Sequence, residues 1–339
     1  MEIELARQLL NIPSVSGEEK EIAEFLVDRL SRTFKVETQN VGNNFNILAT
    51  CGKPDIILTT HMDTVPGLLE IKEDNDYLYG RGACDTKGII AAMVCACEEA
   101  VKEGFNNFGI LLDVCEETDF SGINEAINLV NPVFVIIGEP TNLDIVYGQK
   151  GLLGVKLVCK GKSVPGSTPE LGISAINNLI KDITILNNLK LPEDKFLGKT
   201  TFNIGIIKGG NAVNIVPDYA EATIEFRTVT NNKELINLIK QNVGYSIVEI
   251  LYNFEIVINN DLEFIKYLNL NKRTVSYFSE MYFWNNKSKT IVFGPGNYEV
   301  AHTNSEKISK NDITKGKLLY LEIIRKLYKS INLERSVTK

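Results

Sequence analysis

The chain has 339 residues, 44% hydrophobic and 23% charged, ordinary globular values at a length that favours two domains. A formal charge of −7, with Lys and Arg spread out, argues against a nucleic-acid partner and a membrane-surface role, because no basic excess exists to neutralise phosphates. No run approaches the roughly 18 apolar residues of a spanning helix, and Met1–Arg7 carries acids where a secretory signal would be apolar, so the expected location is the cytoplasm.

In chain order, two helices are expected to open the fold. Ser16-Gly17-Glu18-Glu19 reads as a cap with first-turn acids, and Ile22, Ala23, Phe25, Leu26 and Leu30 form a helical apolar stripe. Asp55–Thr60 reads as a buried strand ending at His61, and Lys87–Lys102 as an Ala-rich helix after Asp85. Gly109–Val114 leads to Glu116, and Val133–Ile137 leads to Glu139. Short apolar strands alternating with helices predict an α/β fold, a mostly parallel sheet with helices on both faces. The candidate polar residues follow the carboxyl ends of different strands, the edge where open α/β sheets bind ligands.

Between residues 151 and 258 the order changes to strand, helix, strand, strand, helix, strand: Leu152–Cys159, Leu171–Leu186, Thr201–Ile207, Tyr219–Val229, Lys233–Val243 and Val248–Ile256. This is the ferredoxin-like α+β order, expected as an inserted lid or dimerisation domain. The catalytic domain is then 1–150 and 259–339, resuming near Asp261 and closing with a helix over Ile313–Tyr328. Six cysteines show no CxxC spacing and are expected as free, mostly buried thiols.

Only two histidines occur, His61 and His302. Asp63, two residues beyond His61, shares its face in an extended segment and can fix the imidazole tautomer; a satisfied strand-end histidine would look the same. Asp85 closes the Gly-rich stretch Gly80–Gly88, which fits no phosphate-loop spacing; it reads as a helix cap or a carboxylate bridging two cations. The adjacent Glu116 and Glu117 repel each other unless a cation or shared proton relieves them. One can ligate metal while the other takes a proton from the attacking water; a solvated acidic loop is the plain alternative. Gly138–Thr141 and Gly294-Pro295-Gly296 are tight turns able to hold Glu139 and shape a pocket near His302.

In this joint order the chain resembles the zinc amidohydrolase family of acetylornithine deacetylase, succinyl-diaminopimelate desuccinylase, aminoacylases and carboxypeptidase G-type peptidases, over essentially its whole length. The resemblance implies two divalent metals, expected as Zn²⁺ with Co²⁺ or Mn²⁺ compatible. His61 and Glu139 would hold one, Glu117 and His302 the other, with Asp85 between them. It implies Glu116 as general base, Asp63 as the group orienting His61, and Arg227, after Asn214–Asp218, as the partner of a substrate carboxylate. Asn214, Gly294 and Gly296 are the further substrate-binding candidates. Ser279-Glu280-Met281, Phe293–Gly296 and Ala301–Glu306 resemble acetylornithine deacetylase most, and a glutamate at 139 resembles deacylases more than peptidases. The implied reaction is hydrolysis of a small N-acyl amino acid in amino-acid biosynthesis by a possible homodimer; the alternatives are a di- or tripeptidase or carboxypeptidase of the same family, or a non-catalytic metal-binding protein. One departure stands out. The lid histidine that the family carries after a Gly-x-x-x spacing is absent from Gly161–Ser167, where Pro165 stands at or beside its place. Losing one oxyanion donor costs about a hundredfold or more in turnover, leaving Lys162, Ser167, Asn211 or Asn214 to compensate.

Overall fold

A computed structural model describes residues 1–259, 263–266 and 268–337. Asp261, near which the catalytic domain was expected to resume, lies outside the described residues. The chain divides into two compact units, one of Met1–Tyr147, Asn259–Arg273 and Ser279–Lys339, the other of Gly148–Ile258 and Thr274–Phe278. The short return of Thr274–Phe278 to the second unit was not foreseen.

In the first unit, the strands Phe108–Asp113, Ile56–His61, Phe134–Ile137 and Lys289–Val292 lie side by side in that order and run parallel. Every residue of Ile56–His61 and Phe108–Asp113 is buried. Successive side chains of a strand point to opposite faces, so this sheet centre is covered on both. The flanks are antiparallel: Asn44–Cys51 pairs with Phe108–Asp113, Lys35–Val41 pairs with Asn44–Cys51, and Ile145–Gln149 meets Lys289–Val292. The hairpin Lys35–Cys51 was not read from sequence, because its outer strand is largely exposed and polar.

Helices Glu2–Leu10, Gly88–Lys102 and Lys310–Val337 pack on one another, while Lys20–Leu30 packs on the Asn44–Cys51 strand. Gly88–Lys102 has only small and branched apolar residues over Ile89–Ala92, all at 0% exposure, which lets it lie deep in the core. Ser16 does not cap the second helix. That helix starts at Lys20 with Glu19 at its N-cap position and no side-chain cap bond, and Ser16 serves another residue.

In the second unit, a four-stranded antiparallel sheet has the order Thr201–Gly209, Tyr219–Thr228, Gly151–Lys160, Ser246–Phe254. Helices Ala175–Asn187 and Asn232–Asn242 pack on it through Leu179, Leu235 and Ile239 against Leu153, Val155, Ile224 and Phe226. Ala220, Ala222, Ile224 and Phe226 recur every second residue and are buried, the period a half-covered strand requires. All six cysteines are free, and no described helix is long and apolar enough to cross a membrane.

Candidate metal centre

The parallel strands set the site by ending at one edge of the sheet. His61 is the last residue of its strand and stands in register with Asp113. Cys115 takes a left-handed φ of 60° immediately before Glu116 and Glu117, turning the chain off the neighbouring strand. Gly138, past the third strand, donates its N–H to the Thr59 carbonyl at 2.7 Å and carries Glu139 to the same edge. An added Cβ at Gly138 would lie 2.5 Å from Met93 Cε and 2.7 Å from Ile89 Cγ2, so both side chains would have to give way to a larger residue.

His61 is buried, with Nδ1 lying 3.0 Å from the Asp63 carbonyl and 3.3 Å from Asp63 Oδ1. Its Nε2 is thereby free to face Asp85 Oδ1, at 3.1 Å. Asp63 is itself locked: Ser16 Oγ donates to Oδ2 at 2.6 Å, Glu116 N–H donates to Oδ1 and Glu117 N–H to Oδ2, both at 3.1 Å. One carboxylate therefore orients the imidazole and fixes the backbone of both glutamates. The other Asp85 oxygen, Oδ2, lies 3.1 Å from His302 Nε2, and that nitrogen lies 2.6 Å from Glu117 Oε1.

His61, Asp85 and Glu117 each offer a ligand atom within 4.8 Å of the other two, a group able to hold a metal ion. Glu139 is buried near these residues but is not within that tight group. Burial pushes its carboxyl well above the usual range, and the Asp85 charge adds to this. Burial likewise raises Glu116, with Glu117 and Asp63 adding repulsion against the pull of His61. Burial acts to raise Asp85 too, but the hydrogen bonds from His302 and His61 prevail and hold it below its ordinary value. His302 is raised to about 10 by Asp85 and then Glu117. Burial opposes a charge on His61, yet Asp63 and Asp85 overcome it and hold that pKa well above normal.

This donor set fits divalent cations. Two buried or half-buried carboxylates, Asp85 and Glu117, converge with two imidazoles, and Glu139 is buried nearby; without a cation, protons on the imidazoles offset the carboxylate charge. Mixed His and carboxylate ligation suits Zn²⁺ and neighbouring divalent ions.

Of the remaining candidates, Gly294 and Gly296 are scaffold positions. Gly294 exchanges bonds with Thr141, and a Cβ there would lie 2.6 Å from the Glu139 carbonyl oxygen. Gly296, at φ 101°, would bring a Cβ to 2.8 Å from Cys84 Sγ. Arg227 belongs to the second unit, where its Nη2 pairs with Glu225 Oε1 at 2.8 Å. Asn214 is exposed in that unit and accepts the Gly166 N–H at 2.7 Å; Pro165 bridges to Ile215 beside it. Sequence reasoning missed Ser16, Arg81 and Glu306. Glu306 is buried, accepts from Arg81 Nη1 at 2.6 Å, and accepts the backbone N–H groups of Cys84 and Asp85 at 3.3 Å each.

Residues 57–326 match the model of peptidase family M20/M25/M40, and the chain belongs to that family. A probable carboxypeptidase of Aspergillus flavus is 38% identical over 265 residues, covering 67% of this chain and 63% of that protein. The chain thus spans 63% of the length of that relative. A peptidase M20 domain-containing protein of Schizosaccharomyces pombe is 30% identical over 338 residues, 93% of this chain and 82% of that protein. Among solved structures, a tripeptidase from Staphylococcus aureus superposes with a TM-score of 0.82 at 23% identity, covering 97% of this chain and 98% of that one. At that identity the likeness shows the fold alone.

Proposed function

We propose that this chain is a metal-dependent hydrolase that removes the C-terminal amino acid from a small peptide. The observation carrying this reading is the convergence of His61, Asp85, Glu117 and His302, with Asp63 behind and Glu116 beside them. His61, Asp85, Glu117, Glu139 and His302 would hold two divalent cations, Zn²⁺ being the expected pair. When bound, such cations supply Lewis acidity, polarising a carbonyl oxygen and acidifying a water.

The chain's own residues supply the proton path. Glu116, its carboxyl raised by burial, takes a proton from the attacking water as the oxygen bonds to the amide carbon. It returns that proton to the nitrogen as the C–N bond breaks, so a carboxylic acid and a free amine leave. Asp63 keeps the His61 ring oriented throughout by holding Nδ1. Arg227 is assigned to the carboxylate of the departing amino acid, for which its planar guanidinium is suited. Lys162, Ser167, Asn211 and Asn214 are the candidates for the oxyanion donor that the family's lid histidine would provide.

A peptide reading is preferred to acetylornithine deacetylation for two reasons. The A. flavus relative carries the name probable carboxypeptidase. The S. pombe relative is described as a peptidase M20 domain-containing protein. N-acyl amino acid hydrolysis remains the second reading, favoured by a glutamate at 139. The two substrates differ only in the acyl side, since both end in an amino acid with a free carboxylate.

The test is amino-acid release by Zn²⁺- and Co²⁺-loaded protein from di- and tripeptides, the same peptides with amidated C-termini, and N-acetylornithine. Preferred cleavage of free peptides, lost on amidation, is expected. Preference for N-acetylornithine would replace this reading with the deacylase one. For assembly we propose a homodimer formed on the edge strand Thr201–Gly209, where Ile206 and Ile207 are 50% and 61% exposed; a monomeric mass by light scattering would contradict it.

A further inference from the structure

We infer that the buried Arg81–Glu306 ion pair is a positioning device that aims Asp85 and His302 at each other. This rests on the reading of those two residues as metal ligands.

Glu306 stands four residues beyond His302, and its side chain is 0% exposed. One of its oxygens, Oε1, accepts the backbone N–H of Cys84 and of Asp85, each at 3.3 Å. The other, Oε2, accepts from Arg81 Nη1 at 2.6 Å. Arg81 also donates to the Thr303 carbonyl at 3.4 Å and to the Gly67 carbonyl at 3.1 Å, and Gly80 N–H donates to the Glu306 carbonyl at 3.2 Å. Every one of these bonds but that to Gly67 ties the segment bearing His302 to the segment bearing Asp85.

Two local conformations show what the tie secures. Asp85 leaves helical geometry at φ −128° and ψ 87°, and its N–H donates out of its own turn to Glu306 Oε1. His302 takes a left-handed φ of 62°, which a non-glycine residue keeps only where its surroundings enforce it. Glu306 answers both needs. It receives the Asp85 N–H, and through Arg81 and Thr303 it closes the turn that carries His302. A buried ion pair is a poor source of stability compared with an apolar pair of the same volume, so its worth here lies in fixed geometry. Neither belongs to the group of His61, Asp85 and Glu117 able to hold a cation, so both act through the segments that carry Asp85 and His302.

The experiment compares wild type, Glu306→Gln, and the double variant Arg81→Met/Glu306→Leu. It follows Zn²⁺ and Co²⁺ affinity, the visible absorption of the Co²⁺-loaded protein, kcat, KM and Tm. Groups that orient metal ligands typically cost about 10- to 100-fold in metal affinity or activity when changed. Glu306→Gln is expected to lose at least about tenfold in cation affinity and in kcat with KM unchanged, and to shift the Co²⁺ spectrum. The double variant leaves no unpaired buried charge. It is expected to recover Tm while cation affinity and kcat stay low. A double variant with wild-type affinity and kcat, or a Glu306→Gln protein with the wild-type Co²⁺ spectrum, would overturn the inference. A wild type that binds no cation would instead remove the functional reading on which it rests.

Discussion

His302 Nε2 lies 2.6 Å from Glu117 Oε1, although 185 residues separate them in the chain. The contact holds a proton that a cation must displace. Asp85 and then Glu117 raise the His302 pKa from 6.5 to about 10, so near neutral pH the metal-free imidazole is charged. A ligand imidazole is neutral, and cation binding therefore releases protons.

Adding Zn²⁺ to metal-free protein in weak buffer at pH 7.5 is therefore expected to acidify the solution, and affinity should rise with pH. The same shift predicts the stability of the metal-free form. A raised histidine pKa contributes stability that is fully present below the unfolded value near 6.5 and is lost as pH rises through about 10. The Tm of chelated protein should fall over that window, and the loaded protein should fall less. Zn²⁺ binding without proton release would contradict this account of the site.

Glu116→Gln removes the proton acceptor while keeping shape and the backbone bond to Asp63. Loss of about three orders of magnitude in kcat is expected, with metal content retained. Near-normal turnover with full metal content would take Glu116 out of the base role.

Asp113 and Glu280 are wholly buried carboxyls on the first unit. Burial, then the charge of Glu280, pushes Asp113 well above its normal range. A raised carboxyl keeps its proton in the fold but not in the unfolded chain, so stability declines as pH rises above the unfolded value of about 3.9. Asp113→Asn mimics the protonated form. Its Tm should match wild type near pH 4 and exceed it increasingly toward pH 8; a Tm below wild type at pH 8 would show that the charged form is the native one.

Gly294→Ala places a methyl 2.6 Å from the Glu139 carbonyl oxygen, a backbone atom that cannot swing aside. A loss of about 1–3 kcal/mol in stability is expected from such overpacking. Because Glu139 must shift, cation affinity should drop as well. Unchanged denaturant midpoint and affinity would show that the loop yields freely.

What the sequence made legible followed from local pattern. Apolar runs ending at His61, before Glu116 and before Glu139 located the sheet edge, and the strand, helix, strand, strand, helix, strand order between residues 151 and 258 located the second sheet. A histidine count of two narrowed the ligand search to His61 and His302. The Arg81–Glu306 pair lay beyond reach because its partners are 225 residues apart and no spacing rule joins them. The role of Ser16 is hidden for a related reason. A serine ahead of two acids looks like a helix cap, and only the folded chain shows its hydroxyl 2.6 Å from Asp63. The Lys35–Val41 strand carries too few buried apolar residues to announce itself.

The most direct test of the central claim is a titration of metal-free protein with Zn²⁺ or Co²⁺ while hydrolysis of a free tripeptide is followed. The account predicts no hydrolysis before addition, activity that rises with occupancy to two equivalents, and loss of both on chelation. Full hydrolysis by the metal-free protein, or two cations bound in a His61→Ala/His302→Ala variant with unchanged affinity, would contradict it.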